Sequence, residues 1–144
     1  MLEHEELSGR IIAAAIGVHR TLGPGFLESI YEEALSIELR ERRLGFERQR
    51  LVPVVYDGVT VGEHQLDLFV ENAMVVELKA IKAIEDVHFA IVRSYLKAVH
   101  RRHGLILNFG RSRLDIRRVI APVSDAVPDP SCLPPLLPSS EKKP

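Results

Sequence analysis

Asp67, Glu77 and Lys79 are the residues whose types and positions suggest chemistry. They lie in DLFVENAMVVELK, residues 67–79, where two short apolar, β-branched-rich runs flank Glu71-Asn72-Ala73. A charge inside a buried strand is costly unless it is paired or binds a metal ion. Side chains alternate faces along a strand, so Glu77 and Lys79 share one face while Val76, Leu78 and Ala80 take the other. Whether Asp67 joins them depends on the loop, because a one-residue slip sends every side chain to the opposite face. A two-residue loop at Asn72-Ala73 sets Asp67 opposite Leu78, and a three-residue loop at Glu71-Asn72-Ala73 sets it opposite Glu77. The three-residue loop is the expected one, with Asn72 or Ala73 in the left-handed conformation.

The chain that must position these groups has 144 residues, 46% hydrophobic and 27% charged, the composition of one ordinary globular domain. Burying roughly two-thirds of its unfolded surface, a domain of this length needs no disulfide or structural metal. The single cysteine, Cys132, has no internal partner, which fits a reducing, cytoplasmic compartment. No signal-peptide pattern opens the sequence, and the apolar run 11–18 is far short of the ~20 residues of a membrane span. With a formal net charge of −1, no global basic field steers the protein to nucleic acid. Any such contact must come from local clusters: Arg101 and Arg102 between His100 and His103, or Arg111, Arg113, Arg117 and Arg118. The bland alternative for either cluster is a solvated basic face.

Periodicity predicts a first helix over 5–22, with Ser8 as cap and Ile12, Ile16 and His19 on one face. Gly23-Pro24-Gly25 breaks it. A second helix over 26–43 follows, with Leu27, Ile30, Tyr31, Ala34 and Leu35 as core stripe. Glu28 lies in its first turn, bordering that stripe, where a carboxylate also favours the helix dipole; Glu32 and Glu33 belong to the polar surface. Two strands, 47–56 and 59–70, join at Asp57-Gly58, a strong hairpin signal. Pro53 marks the first as an edge strand and Gly62 suggests a bulge in the second. Strand 74–80 completes a meander. A third helix over 84–100 presents Val87, Ile91, Tyr95 and Ala98 to the core, with Arg93 and Lys97 elsewhere. Strand 105–109, parallel to 74–80 across the helical crossover, and strand 113–120, with Leu114, Ile116 and Ile120 alternating, close the fold. The order helix-helix-β-β-β-α-β-β predicts an α/β or α+β sandwich with one mixed sheet between helices. Residues 1–120 form the domain. Residues 121–144 hold seven of the nine prolines and no glycine, and are expected to be an extended, mostly disordered tail whose PxxP-like elements could bind a protein partner.

Two motifs together resemble a known group. GFLESIY, from Gly25 to Tyr31, matches a GxxExxY pattern, and Asp67 with Glu77-Leu78-Lys79 resembles the core of the PD-(D/E)XK nuclease-like superfamily. The chain looks like a member of the GxxExxY family in that superfamily over about residues 5 to 120. The resemblance implies a restriction-endonuclease-like core and metal-dependent cleavage of phosphodiesters. Carried over by position, it makes Glu28 the helical carboxylate, Asp67 and Glu77 ligands of Mg²⁺ or Mn²⁺, and Lys79 the cation that orients the attacking water. Gly25, Tyr31 and Tyr95 would support the site, and Arg93, Lys97 and Arg101 would contact DNA or RNA. Where such proteins usually carry QxxxY on the helix after ELK, this chain has Ile91 followed by Tyr95.

Two readings follow: a Mg²⁺-dependent nuclease, drawing on Glu28, Asp67, Glu77 and Lys79, and a non-cleaving nucleic-acid- or protein-binding module on a nuclease-like scaffold, drawing on Ile91 and the near-neutral charge. The strand carrying Pro53 and the uncovered last strand leave room for a homodimer.

Overall fold

Alternating apolar residues, the Asp57-Gly58 turn and the 71–73 loop fold the middle of the chain into a meander, around which the remaining elements assemble. The structure, a computed structural model, describes residues 4–122; the proline-rich segment assigned to a tail lies outside the described residues apart from its first two positions. The elements are α1 (His4–Leu22), α2 (Glu28–Glu41), β1 (Phe46–Tyr56), β2 (Val59–Val70), β3 (Met74–Lys79), α3 (Asp86–Val99), β4 (His103–Asn108) and β5 (Asp115–Ile120). The strands form one sheet in the order β1-β2-β3-β4-β5, antiparallel except for β3 and β4, which run parallel across the α3 crossover as expected. β1 lies at the sheet edge, as Pro53 requires. The hairpin turn carries positive φ at Asp57 and Gly58, and the register slips between Val54 and Val55, beside Gly62.

The sheet separates two cores. On one side α1 and α2 bury Leu7, Ile11, Tyr31, Leu35 and Leu39 against Leu68, Val76, Leu78 and Leu107. On the other, α3 buries Val92, Leu96 and Val99 against Phe69, Val75 and Ile106. The result is an α+β fold of three helices and a five-stranded mixed sheet, consistent with a restriction-endonuclease-like architecture.

Several helix faces differ from the expected ones. α1 starts at His4, so Ser8 lies inside it: its hydroxyl donates to the Glu5 carbonyl at 3.1 Å and accepts from Arg118 at 2.7 Å. The buried face of α1 is Leu7, Ile11, Ala14, Ala15 and Val18, with His19, rather than Ile12 and Ile16. This helix is apolar around most of its circumference, so periodicity alone does not choose its face. α2 starts at Glu28, and Leu27 and Ile30 are exposed while Glu32 is buried. On α3, Val87 and Ile91 are exposed and the stripe one residue further on, Val92-Leu96-Val99, is the buried one. Both stripes have helical spacing, and packing against Val75 and Ile106 selects the second. On β5, Val119 is buried and Ile120 exposed, reversing the expected alternation there.

Candidate active site

Register comes first, because it decides whether Asp67 can meet Glu77. Leu68 pairs with Val76, Phe69 with Val75 and Val70 with Met74, which is the register of the three-residue loop. Glu71 and Asn72 hold the left-handed conformations, with φ of 55° and 52°, and Ala73 does not. Carried one pair further, this register sets Asp67 opposite Glu77, but the ladder stops at Leu68–Val76. Instead the Asp67 carboxylate accepts the backbone N–H of Leu78 at 2.9 Å, occupying the donor that a continued strand would have used. The break coincides with an irregularity on the neighbouring strand: Gln49 has φ of 52°, and the β1–β2 pairing passes from Arg48–Leu68 to Arg50–Leu66 around it. Strict alternation fails here, so that Leu66 joins Phe69 in the α3-side core while Leu68 packs on the other face.

Glu77 is 7% exposed, and its Oε1 is buried with no hydrogen-bond partner. Burial pushes its pKa up to about 8, and the negative charges of Asp67 and Glu28 add to the rise, while Lys79 and the Asp67 backbone amide oppose it. Burial also raises Asp67, aided by Glu32 and Glu28 and opposed by the Leu78 amide and the Gln49 side chain. Lys79, at the end of β3, is partly exposed. Its carbonyl accepts the Phe109 N–H at 2.7 Å, which ties the site to the end of β4. The structure thus brings Asp67, Glu77 and Lys79 together. Glu28 stays at the exposed first turn of α2 and reaches both acids through its charge. Among the described residues no three His, Cys, Asp or Glu side chains form a ready-made ion cluster.

The GFLESIY segment places Glu28. Gly23 and Gly25 have φ of 69° and 113°, a region that penalises any residue with a Cβ. The hydroxyl of fully buried Tyr31 donates to the Gly23 carbonyl at 2.5 Å and accepts the Phe26 N–H at 3.2 Å, stapling that turn to the first residues of α2. The Tyr31 ring stacks on Phe109 with centroids 4.5 Å apart. Gly25 and Tyr31 therefore shape the turn from which α2, and with it Glu28, begins. Tyr95 lies on the α3 side of the sheet, its ring 4.7 Å from His64; burial first, then the charges of Glu77 and Asp67, push its pKa up to about 12. Ile91, one turn earlier, is 37% exposed.

Sequence reasoning missed Glu32 and Gln49. Glu32 is buried and accepts from Arg48 Nε at 3.0 Å and from Gln49 Nε2 at 2.7 Å, while the same Gln49 amide donates to Asp67 Oδ1 at 3.4 Å. A polar relay thus runs from α2 to Asp67. A signal for Glu32 existed, since it follows Glu28 by one helical turn; nothing in the alternation of β1 marks Gln49. Of the cations assigned to nucleic-acid contact, Arg93 and Lys97 are exposed on α3. Arg101 is spent on the carbonyls of Asn72, Val99 and His100, at the end of β3 remote from Lys79.

Oxygen donors of this kind suit a hard divalent cation. The buried, unpartnered Glu77 Oε1 beside Asp67 is an acceptor without a donor, so the residues present fit such an ion.

Fold and site together define an α+β protein of the restriction-endonuclease-like class. The family model described as PD-(D/E)XK nuclease superfamily matches residues 5–119, and the chain belongs to that superfamily. Neither the curated proteins nor the solved structures gave a match. Membership supports a nuclease-like function, and nucleases of this superfamily generally use divalent metals. No described helix is long and apolar enough to cross a membrane.

Proposed function

We propose that the protein is a Mg²⁺- or Mn²⁺-dependent nuclease of the GxxExxY type that hydrolyses phosphodiester bonds in DNA or RNA. One observation carries this reading: Glu77 is buried with an unpartnered oxygen, beside a second carboxylate and two residues before a lysine at the open end of the strand. Burying a carboxylate without a donor is destabilising, and a cation there satisfies it. Asp67 and Glu77 would hold the ion, with Glu28 adding negative charge from α2. A bound divalent ion supplies Lewis acidity and lowers the pKa of a coordinated water. Lys79 offers an ammonium to stabilise charge developing on the phosphate oxygens. Asp67 keeps its orientation through the Leu78 amide and the Gln49–Glu32 relay. The Tyr31 staple sets where Glu28 begins α2. The single cysteine, without an internal disulfide partner, fits a reducing, cytoplasmic setting.

The test is nicking of supercoiled plasmid, single-stranded DNA and RNA with and without Mg²⁺ or Mn²⁺. Cleavage should require the ion and disappear in Asp67→Ala, Glu77→Gln and Lys79→Ala. Cleavage that survives all three substitutions would defeat the reading. The second reading, a non-cleaving binding module, is favoured by Ile91, an apolar residue exposed one turn before Tyr95; it predicts salt-sensitive nucleic-acid binding without nicking.

A further inference from the structure

We propose that the loops leaving the ends of β3 and β4 form a rigid cationic rim, carried by Lys82, Arg111 and Arg113, that grips the sugar–phosphate backbone of nucleic acid beside Lys79. This deepens the nuclease reading by naming where its substrate lies. In sheets with parallel strands the two loops at the carboxyl ends border the natural ligand crevice. Here Lys79 and Asn108 are register partners at those ends, and both loops begin directly after them.

The loops are locked to one another. Fully buried Asn108 accepts the Ile81 and Gly110 N–H groups at 3.0 Å each and donates to the Ile81 carbonyl at 3.0 Å. Gly110 lies so close that a Cβ there would be 2.5 Å from the Ile81 nitrogen. Arg111 donates to the Lys82 carbonyl at 2.9 Å, and the Arg111 carbonyl bonds His19 Nε2 at 2.9 Å. The rim is thus preorganised, which reduces the ordering cost of binding.

Charge then identifies the partner. Lys82, Arg111 and Arg113 are exposed, and none is in an ion pair among the described residues. Other arginines are engaged elsewhere: Arg117 with Asp115, Arg118 with Ser8, Arg102 with the Ala121 carbonyl and Arg101 with three carbonyls. Three exposed cations without a carboxylate partner, one of them, Arg111, steadied by its bond to the Lys82 carbonyl, suit a polyanion that continues past Lys79. With a net charge of −1 the chain has no overall basic field, so attraction to a polyanion must come from a local cluster such as this one.

The experiment is fluorescence anisotropy of labelled single-stranded and duplex oligonucleotides in EDTA across a salt series. It compares the wild-type chain with Lys82→Gln/Arg111→Gln/Arg113→Gln, with Lys82→Gln/Arg113→Gln, which spares the Arg111 hydrogen bond, and with Arg93→Gln/Lys97→Gln. The triple variant should bind at least about tenfold more weakly and lose roughly 2–3 from its salt slope, and the double variant about 1–2. Unchanged binding by folded rim variants, weakening confined to the α3 variant, or no salt-sensitive binding by the wild-type chain would each overturn the rim. Nicking is scored separately. Rim-dependent binding without nicking removes the catalytic reading and keeps the rim, whereas nicking and binding both indifferent to the rim substitutions keep the first and remove the second.

Discussion

The Asp67 carboxylate accepts the backbone N–H of Leu78 at 2.9 Å, in place of the ladder bond that would have continued β2 against β3. The strand pair therefore opens at the point where Glu77 must be reached, and one side chain both closes the backbone account and supplies negative charge. Asp67→Asn should preserve much of the fold and lower the Glu77 pKa, because it removes a charge that pushes Glu77 upward. Carbon-detected NMR titration of the Glu77 carboxyl reads this; an unchanged or higher pKa would contradict the electrostatic coupling.

The raised pKa of Glu77 has a stability consequence. Its folded value, about 8, lies above the ordinary 4.5, so the folded state holds a proton that the unfolded chain releases. Its stabilising contribution is present below pH ~4.5 and is lost as pH rises through about 8, an effect of at most a few kcal/mol. Denaturant melts of metal-free protein should show stability falling over that window, and Glu77→Gln should flatten the fall. Mg²⁺ or Mn²⁺ requires the ionised form, so either ion should raise the melting temperature more at pH 8 than at pH 6, with proton release in calorimetry.

Tyr31→Phe removes a hydroxyl that serves the Gly23 carbonyl and the Phe26 amide while keeping the stack on Phe109. The expected loss is about 1–3 kcal/mol, since two polar groups lose a partner. Cleavage should fall as well, through the start of α2 and Glu28. Chemical denaturation and nicking rates measured together test both parts, and a variant as stable as wild type would remove the staple.

Glu32→Gln keeps the shape of the relay and removes its charge. Arg48 loses one of its two ion-pair partners and keeps Glu33, and Asp67 loses one of the charges that raise its pKa. Stability should drop by about 1–2 kcal/mol and the Asp67 titration should move down. A melt and a carboxyl titration are sufficient to check it.

Ile91→Gln introduces a polar group one turn before Tyr95 at a position that is 37% exposed. With so little apolar area given up, stability should change by no more than about 0.5–1 kcal/mol. Metal-dependent nicking should rise if an amide there assists the ligands. A folded variant with unaltered nicking would show that the site works without it.

The order of elements, the meander, the parallel crossover and the 71–73 loop were all legible in the sequence. Each depends on local chemistry: Asp57-Gly58 and Asn72 tolerate positive φ, Pro53 cannot donate to a neighbour, and a helix between strands forces a crossover, whereas the positive φ of Glu71 had no such signal. Faces were less legible. Ile12 against Ile11, or Ile91 against Val92, are choices between adjacent stripes of equal period, and only the sheet that a helix meets selects one. The pairing of Glu77 and Lys79 on one face followed from alternation alone. Local pattern did not contain the bond from Asp67 to the Leu78 amide, the burial of Glu32 or the clamp of Asn108 on Ile81. They arise where residues distant in sequence leave a backbone or carboxyl group out of water, and tertiary packing decides which side chain satisfies it.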